Sequence, residues 1–282
     1  MIIKTLERIS LEQLSEAFNK AFTKYFVPIR MTPDILREKM HNDRVSLALS
    51  AGAFEGNELG GFVLHGYDEL DGQMQAYNAA TGVLPQYRGN RLTGKLYEFI
   101  LPILKEQKVE RCVLEVIDQN APAIRTYESM GFSLTRELPC FKGGSGMVEA
   151  RNAFEIKSID KPDWGLLQTF WDVRPTWQND KRALTKAHKD LSIVGLYQEQ
   201  LLIGYTAFNL SNGRIRQMAV QPAYRRKGGA TQLFNYIKSL VKGEVSAINV
   251  DSNAVHALGF LKAMGLTEFI RQYEMEFTLI SE

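Results

Sequence analysis

The chain repeats itself, and that limits its fold more than any other feature. The segments VLPQYRGNRLTGKLYEFI, from Val83, and VQPAYRRKGGATQLFNYI, from Val220, set Val83, Pro85, Tyr87 and Arg88 at the same spacing as Val220, Pro222, Tyr224 and Arg225. The two lie in opposite halves of 282 residues. A period that long means a duplicated domain, because solenoid units run to only about 20–50 residues. The match extends both ways. Upstream, AFEGNELGGFVLHGY and GLYQEQLLIGYTAF each predict two strands around a tight polar turn. Downstream, CVLEVID and AINVD predict buried strands, and YESMGF and LKAMGL predict helix ends stopped by Gly131 and Gly265.

Each half therefore predicts the order β-α-α-β-β-β-loop-α-β-α-β. Three successive strands favour an antiparallel meander, and the strand–helix–strand after the loop adds one parallel crossover. The expected fold class is mixed α/β: a mostly antiparallel mixed sheet flanked by helices, present twice. Domains are expected at residues 1–142 and 153–282, with 143–152, opening on Gly143, Gly144, Ser145 and Gly146, as linker. Leu92, Leu96, Phe99, Ile100, Ile103 and Leu104 share one face of the helix after the first loop, where Pro102 should cost a hydrogen bond and bend it.

Composition removes several functions. Lys and Arg number 34 against 32 Asp and Glu, so a net charge of +2 gives no footprint for nucleic acid or anionic membrane. No apolar run approaches the roughly 18 residues of a membrane span, and Lys4, Glu7 and Arg8 interrupt any signal peptide. Two cysteines make no disulfide framework, which makes a cytoplasmic location the expectation. The four histidines show no metal-ligand spacing, so no metal is expected.

A strand entering a short basic, glycine-bearing loop and then a helix leaves free N–H groups at a positive dipole end, an anion site suited to a phosphate or pyrophosphate. There is no GxxxxGK[ST], and no GxGxxG in a βαβ setting, so nucleoside-triphosphate and dinucleotide loops are excluded. These residues resemble the GNAT superfamily of acetyl-CoA-dependent N-acetyltransferases, whose loop reads [Q/R]-x-x-G-x-[G/A] after a V-x-P-x-[Y/F] strand end. Arg225, Gly228 and Ala230 match it fully. In the first half Arg88 matches, but Arg91 and Thr93 stand where small residues are usual. The family's second motif, an Asn, a helix carrying a Tyr, then Gly-Phe, is met by Asn120, Ala123, Tyr127, Gly131 and Phe132. The second half keeps Asn253 and Gly265 with one extra residue between them, and Leu261 falls where the tyrosine would be.

The resemblance implies acetyl transfer to an amine by direct attack, with acetyl-CoA as cosubstrate, chemistry in the first half, and Tyr127 protonating the departing thiolate. It implies that main chain at Thr81–Val83 and at Met218–Val220 holds the pantetheine arm. Asn120 and Ala123 would meet the cofactor too. The loops Arg88, Gly89, Asn90, Arg91, Leu92 and Thr93, and Arg225, Arg226, Lys227, Gly228, Gly229 and Ala230, would meet its phosphates. Read from the residues alone, Tyr127 also suits a helix-face core and Asn120 a plain N-cap. Cys112 suits a buried strand rather than a nucleophile. Glu115, His65 or a water chain remain open as general base. Trp171, Trp177 and Gln178 suit either an acceptor pocket or an interface between halves. Catalysis in the second half, and a non-catalytic acyl-CoA-binding or scaffold protein, stand as alternatives; the acceptor's identity is not written in the sequence.

Overall fold

The computed structural model describes residues 1–23, 25–144, 146, 149, 153–187 and 190–279. They form two compact units: Met1–Thr135 with Tyr273–Glu282, and Arg136–Gln272. The first unit begins with β1 (Ile2–Thr5), α1 (Leu11–Ala21), α2 (Pro33–Asn42), β2 (Val45–Glu55), β3 (Glu58–Leu70) and β4 (Gln73–Val83). A 3-10 turn over Pro85–Tyr87 leads to α3 (Leu92–Glu106), β5 (Arg111–Ile117) and α4 (Ala121–Ser129), and β6 (Ser133–Gly143) follows. The second half repeats the order as β7 (Glu155–Ser158), α5 (Trp164–Gln168), α6 (Lys181–Lys186), β8 (Leu191–Gln198), β9 (Leu201–Asn209) and β10 (Arg214–Val220). After a 3-10 turn at Pro222–Tyr224 come α7 (Gly229–Leu240), β11 (Val245–Ala247), α8 (Val255–Ala263) and β12 (Leu266–Thr278).

Local chemistry explains the boundaries. Ser10 and Thr32 cap α1 and α2 by accepting from the N–H of Gln13 and Ile35, and Pro33 opens α2 where its missing N–H costs nothing. Asp71 and Gly72 both take positive φ, at 52° and 82°, the geometry of a two-residue hairpin turn between β3 and β4. Helix α3 runs unbroken through Pro102, with Leu96, Ile100 and Leu104 fully buried along one face.

In the first unit β1 to β4 pair antiparallel and β4 pairs parallel with β5. Apolar clusters lie on both faces, one against α3 and α4 around Leu96, Tyr97 and Leu114, the other against α1 and α2 around Leu14, Phe18 and Phe62. The second unit pairs β7 to β10 antiparallel and β10 parallel with β11. Its main core gathers Leu196, Phe208, Leu233, Phe234 and Ile237. No helix among the described residues is long and apolar enough to cross a membrane.

The compact units do not follow chain order. Strand β6 lies beside β11, paired at Phe141–Gly143 with Val245–Ala247, and β12 takes the place next to β5. Hydrogen bonding has no regard for sequence distance: the Leu279 N–H donates to the Glu110 carbonyl at 2.8 Å, and Arg111 pairs with Glu276. Of the expected linker, Gly143 ends β6; Ser145, Met147, Val148, Ala150, Arg151 and Asn152 lie outside the described residues.

Candidate active site

In each unit the parallel pair parts. β4 matches β5 only from Gln75 to Asn78, opposite Arg111 to Leu114, and then continues to Val83. β10 matches β11 only at Arg214 and Ile215 and continues to Val220. Among the described residues, the stretches with Thr81 and Val83, and with Met218 and Val220, are thus paired on one side alone, to β3 and β9. A bulge starts each parting: the β3–β4 register slips between His65–Asn78 and Leu64–Ala80, leaving out Ala79, and the β9–β10 register slips at Arg216.

The loops at the ends of these strands share one backbone. Gly89 and Arg91 take left-handed φ of 78° and 54°; Arg226 and Gly228, at matching places, take 63° and 87°. Each loop has one glycine and one arginine in the strained positions, in opposite order. Arg91 and Gly228 are the N-caps of α3 and α7 and offer no side-chain cap. The first helical donors to find main-chain acceptors are Lys95, to the Arg91 carbonyl, and Gln232, to the Gly228 carbonyl. The N–H groups of Leu92 and Thr93, and of Gly229 and Ala230, therefore open outward as an anion cradle. Asn90 braces its loop by donating to the Tyr87 and Arg88 carbonyls, both at 3.3 Å. Lys227 lies over the Tyr224 ring. A Cβ on Gly229 would stand 2.7 Å from a Leu196 methyl, so a larger residue there would have to displace that side chain.

Arg88 and Arg225 do something the sequence reading missed. Each guanidinium turns back on main chain, Arg88 to the carbonyls of Val83 (3.1 Å) and Ala21 (2.7 Å), Arg225 to those of Val220 (2.9 Å) and Phe170 (3.0 Å). Their own N–H groups donate to Pro85 and Pro222. In this structure these two arginines tie the strand end to the first helical region, and besides Arg88 the exposed cations of the loops are Arg91, Arg226 and Lys227.

Tyr127, on α4, reaches the apex of the first parting. Its hydroxyl lies 3.3 Å from Asn78 Nδ2 and is also bonded to Thr81. Asn78 Nδ2 further meets Thr81 Oγ1 at 2.8 Å and Tyr97 Oη at 2.9 Å. Burial pushes the phenols of Tyr127 and Tyr97 above the usual tyrosine range, so both carry protons at neutral pH. Asn120 is the N-cap of α4, accepting from the Ala123 N–H at 3.4 Å, and it also bonds Tyr25. Nothing in the sequence marks Tyr25, Asn78 or Tyr97 for this place; the segment after α1, strand β4 and helix α3 bring them there.

The base candidates fare differently. His65 is fully buried, its Nδ1 bonded to the Leu49 carbonyl at 2.9 Å, and burial lowers it to about 4, which makes it a poor proton acceptor at neutral pH. Glu115 accepts from the Tyr77 hydroxyl at 2.8 Å. Cys112 lies buried in the first core. In the second unit Trp177 is buried, Trp171 donates to the Tyr205 hydroxyl at 2.5 Å, and the Gln178 carbonyl accepts from Arg216. Asn253 does not cap α8: Ala254 holds that position, displaced by the extra residue, and offers no side-chain bond.

A bulged meander, a parting parallel pair and a helix N-terminus behind it thus recur in both units. The chain belongs to the GNAT acetyltransferase family, whose profile matches twice, over residues 11–132 and 154–266. No protein of curated function matches it in sequence. Similar solved structures include a GCN5-related N-acetyltransferase from Sphaerobacter thermophilus, at 12% identity over 99% of this chain and 96% of that one, TM-score 0.75. A tandem GNAT protein from the clavulanic acid biosynthesis pathway aligns over 100% of both chains at 12% identity, TM-score 0.71. A putative acetyltransferase from Pyrococcus horikoshii is 15% identical over 100% of this chain and 89% of that one, TM-score 0.69.

Proposed function

We propose that the first unit is an acetyl-CoA-dependent N-acetyltransferase acting on a primary amine by direct attack. The observation that carries this reading is the buried Tyr127 hydroxyl beside Asn78 and Thr81, where β4 and β5 part. The residues suit acetyl-CoA: the N–H groups from Gly89 to Thr93, with the Arg91 side chain, take the pyrophosphate. The unpaired edge of Thr81–Val83 takes the pantetheine arm, and Asn120 and Ala123 border it. Main-chain groups released by the Ala79 bulge would serve a carbonyl that develops negative charge. The amine nitrogen forms the new C–N bond, the C–S bond breaks, and the thiolate takes the Tyr127 proton. The amine's own proton leaves through water in the cleft.

In the second unit the Gly228 loop supports a second acyl-CoA site at Met218, Val220 and Arg225–Ala230, without an acid. The duplicated copies, residues 1–142 and 153–282, would then divide catalysis from binding in a cytoplasmic protein that engages neither nucleic acid nor membrane. The test is thiol release from acetyl-CoA across a panel of primary amines. Tyr127→Phe should lower kcat about 10²-fold, the low end for a positioned acid because a CoA thiolate leaves tolerably without its proton, with little change in the KM for acetyl-CoA. A Tyr127→Phe protein turning over at the wild-type rate would make the tyrosine packing and move the search to the second unit.

A further inference from the structure

We propose that Asn78 is the positioning residue of this site, holding the Tyr127 oxygen as an acceptor so that the tyrosine's own hydrogen is left for the leaving group. The inference rests on the reading of Tyr127 as the acid. Asn78 is 7% exposed and is the last β4 residue paired with β5, immediately before the Ala79 bulge, so its amide sits at the apex of the parting. One –NH2 group faces three hydroxyl oxygens, those of Thr81, Tyr97 and Tyr127. Thr81, which accepts from Asn78, is itself bonded to Tyr127, so two lines of contact end on the phenol oxygen. Asn78 Oδ1, buried, accepts from no group among the described residues. None of the three hydroxyl hydrogens is therefore spent on Asn78. Once the proton has gone, the same donors face a phenolate, the state they bind best.

The second unit shows that the fold does not need this arrangement. Opposite one another just before its own bulge stand Ile215 and Phe208, where the first unit has Asn78 and His65. Phe234 occupies the α7 position of Tyr97 on α3, Leu261 the α8 position of Tyr127 on α4, and Met218 the position of Thr81. All five polar side chains have apolar counterparts, and these belong to that unit's core cluster or pack against it. An amide buried with one atom unpartnered is a cost that packing does not require.

The test combines tyrosine titration with a double-mutant cycle. In protein labelled with 13C at tyrosine Cζ, with Tyr127→Phe assigning the resonance, Asn78→Leu should move the Tyr127 ionisation to higher pH, because donors to the phenolate are lost. Thiol release from acetyl-CoA with the best amine of the panel should fall about tenfold to 10²-fold in kcat while KM for acetyl-CoA stays within about twofold. In the Tyr127→Phe background the same substitution should cost nothing further. Additive losses in the two backgrounds, or an unmoved Tyr127 ionisation, would overturn the proposal and leave the acid reading intact. Wild-type turnover by Tyr127→Phe would sink both. If Asn78→Leu does not fold, Asn78→Ser, which keeps one hydroxyl donor, carries the same cycle, with a smaller loss expected and additivity again fatal.

Discussion

The two units are one fold, and they differ most where their strands part and at the helix cap that follows. The first has a buried polar cluster where its strands part and an arginine at the N-cap of the helix that follows. The second has hydrocarbon where the cluster would be and a glycine at that cap. Duplicated sequence explains the common backbone, including the paired bulges, the two left-handed loop residues and the folded-back Arg88 and Arg225. It does not explain the difference. A buried polar group must find partners, whereas an apolar one need only fit. The second unit holds the cheaper solution on this face. Its buried polar links lie elsewhere, in the chain from Trp171 through Tyr205 and Gln217 to the Asn179 carbonyl.

Acid sensitivity should distinguish the units most sharply. His65 is buried and neutral, lowered to about 4 from an ordinary value near 6.5, and its counterpart Phe208 does not titrate. The unfolded chain takes up a proton below pH 6.5 that the folded chain refuses until pH 4. Stability is therefore intact above pH 6.5 and falls as pH drops to 4, by about 3 kcal/mol. Chemical denaturation at pH 7, 6, 5 and 4 should show this decline, and His65→Phe should flatten that part of it. An unchanged slope in His65→Phe would mean the imidazole is accessible to protons in the folded state.

The arginine ties come next in size. Arg88→Met and Arg225→Met should each cost about 1–2 kcal/mol, since each loses charge-assisted bonds to two main-chain carbonyls near the surface. Both should reduce acetyl-CoA affinity less than removal of an exposed loop cation does. Thermal melts with calorimetric titration would separate the effects. A normal melt with abolished binding would return these arginines to the phosphate.

The element order was legible because helix and strand periods, turn glycines and a repeated loop all point to the same arrangement. So were the positions of Tyr127 and Asn120, whose spacing follows from a single helix and its cap. Side chains that meet across elements were not. Asn78 in the strand AYNAATGV has little local to mark it, because its partners other than Thr81 come from α3 and α4. The inward turn of Arg88 and Arg225 was hidden for the same reason: a basic loop residue reads as a phosphate ligand until the carbonyls it reaches are known. The exchange of β6 and β12 between units is invisible to any reading that takes the chain in order, since either strand satisfies the same open edge.

The smallest expected effect concerns the caps themselves, and it asks whether Arg91 is a relic or a ligand. A non-glycine residue in the left-handed region costs roughly 1–2 kcal/mol, and glycine returns about 0.5–1 of that as unfolded-state entropy. Arg91→Gly should thus stabilise the protein by about 0.5–1 kcal/mol, and Gly228→Ala should destabilise it by about the same. Binding separates the two readings. If the guanidinium donates to phosphate, Arg91→Gly is the more stable protein with the weaker affinity, by about 0.5–1 kcal/mol or a few-fold in Kd, and the deficit shrinks as salt rises and screens the exposed charge. Melts together with calorimetric titration of acetyl-CoA at low and high salt would read both quantities. A protein that gains stability and binds acetyl-CoA equally at both salts would show that backbone N–H groups alone hold the pyrophosphate, and that the first loop tolerates its arginine without using it.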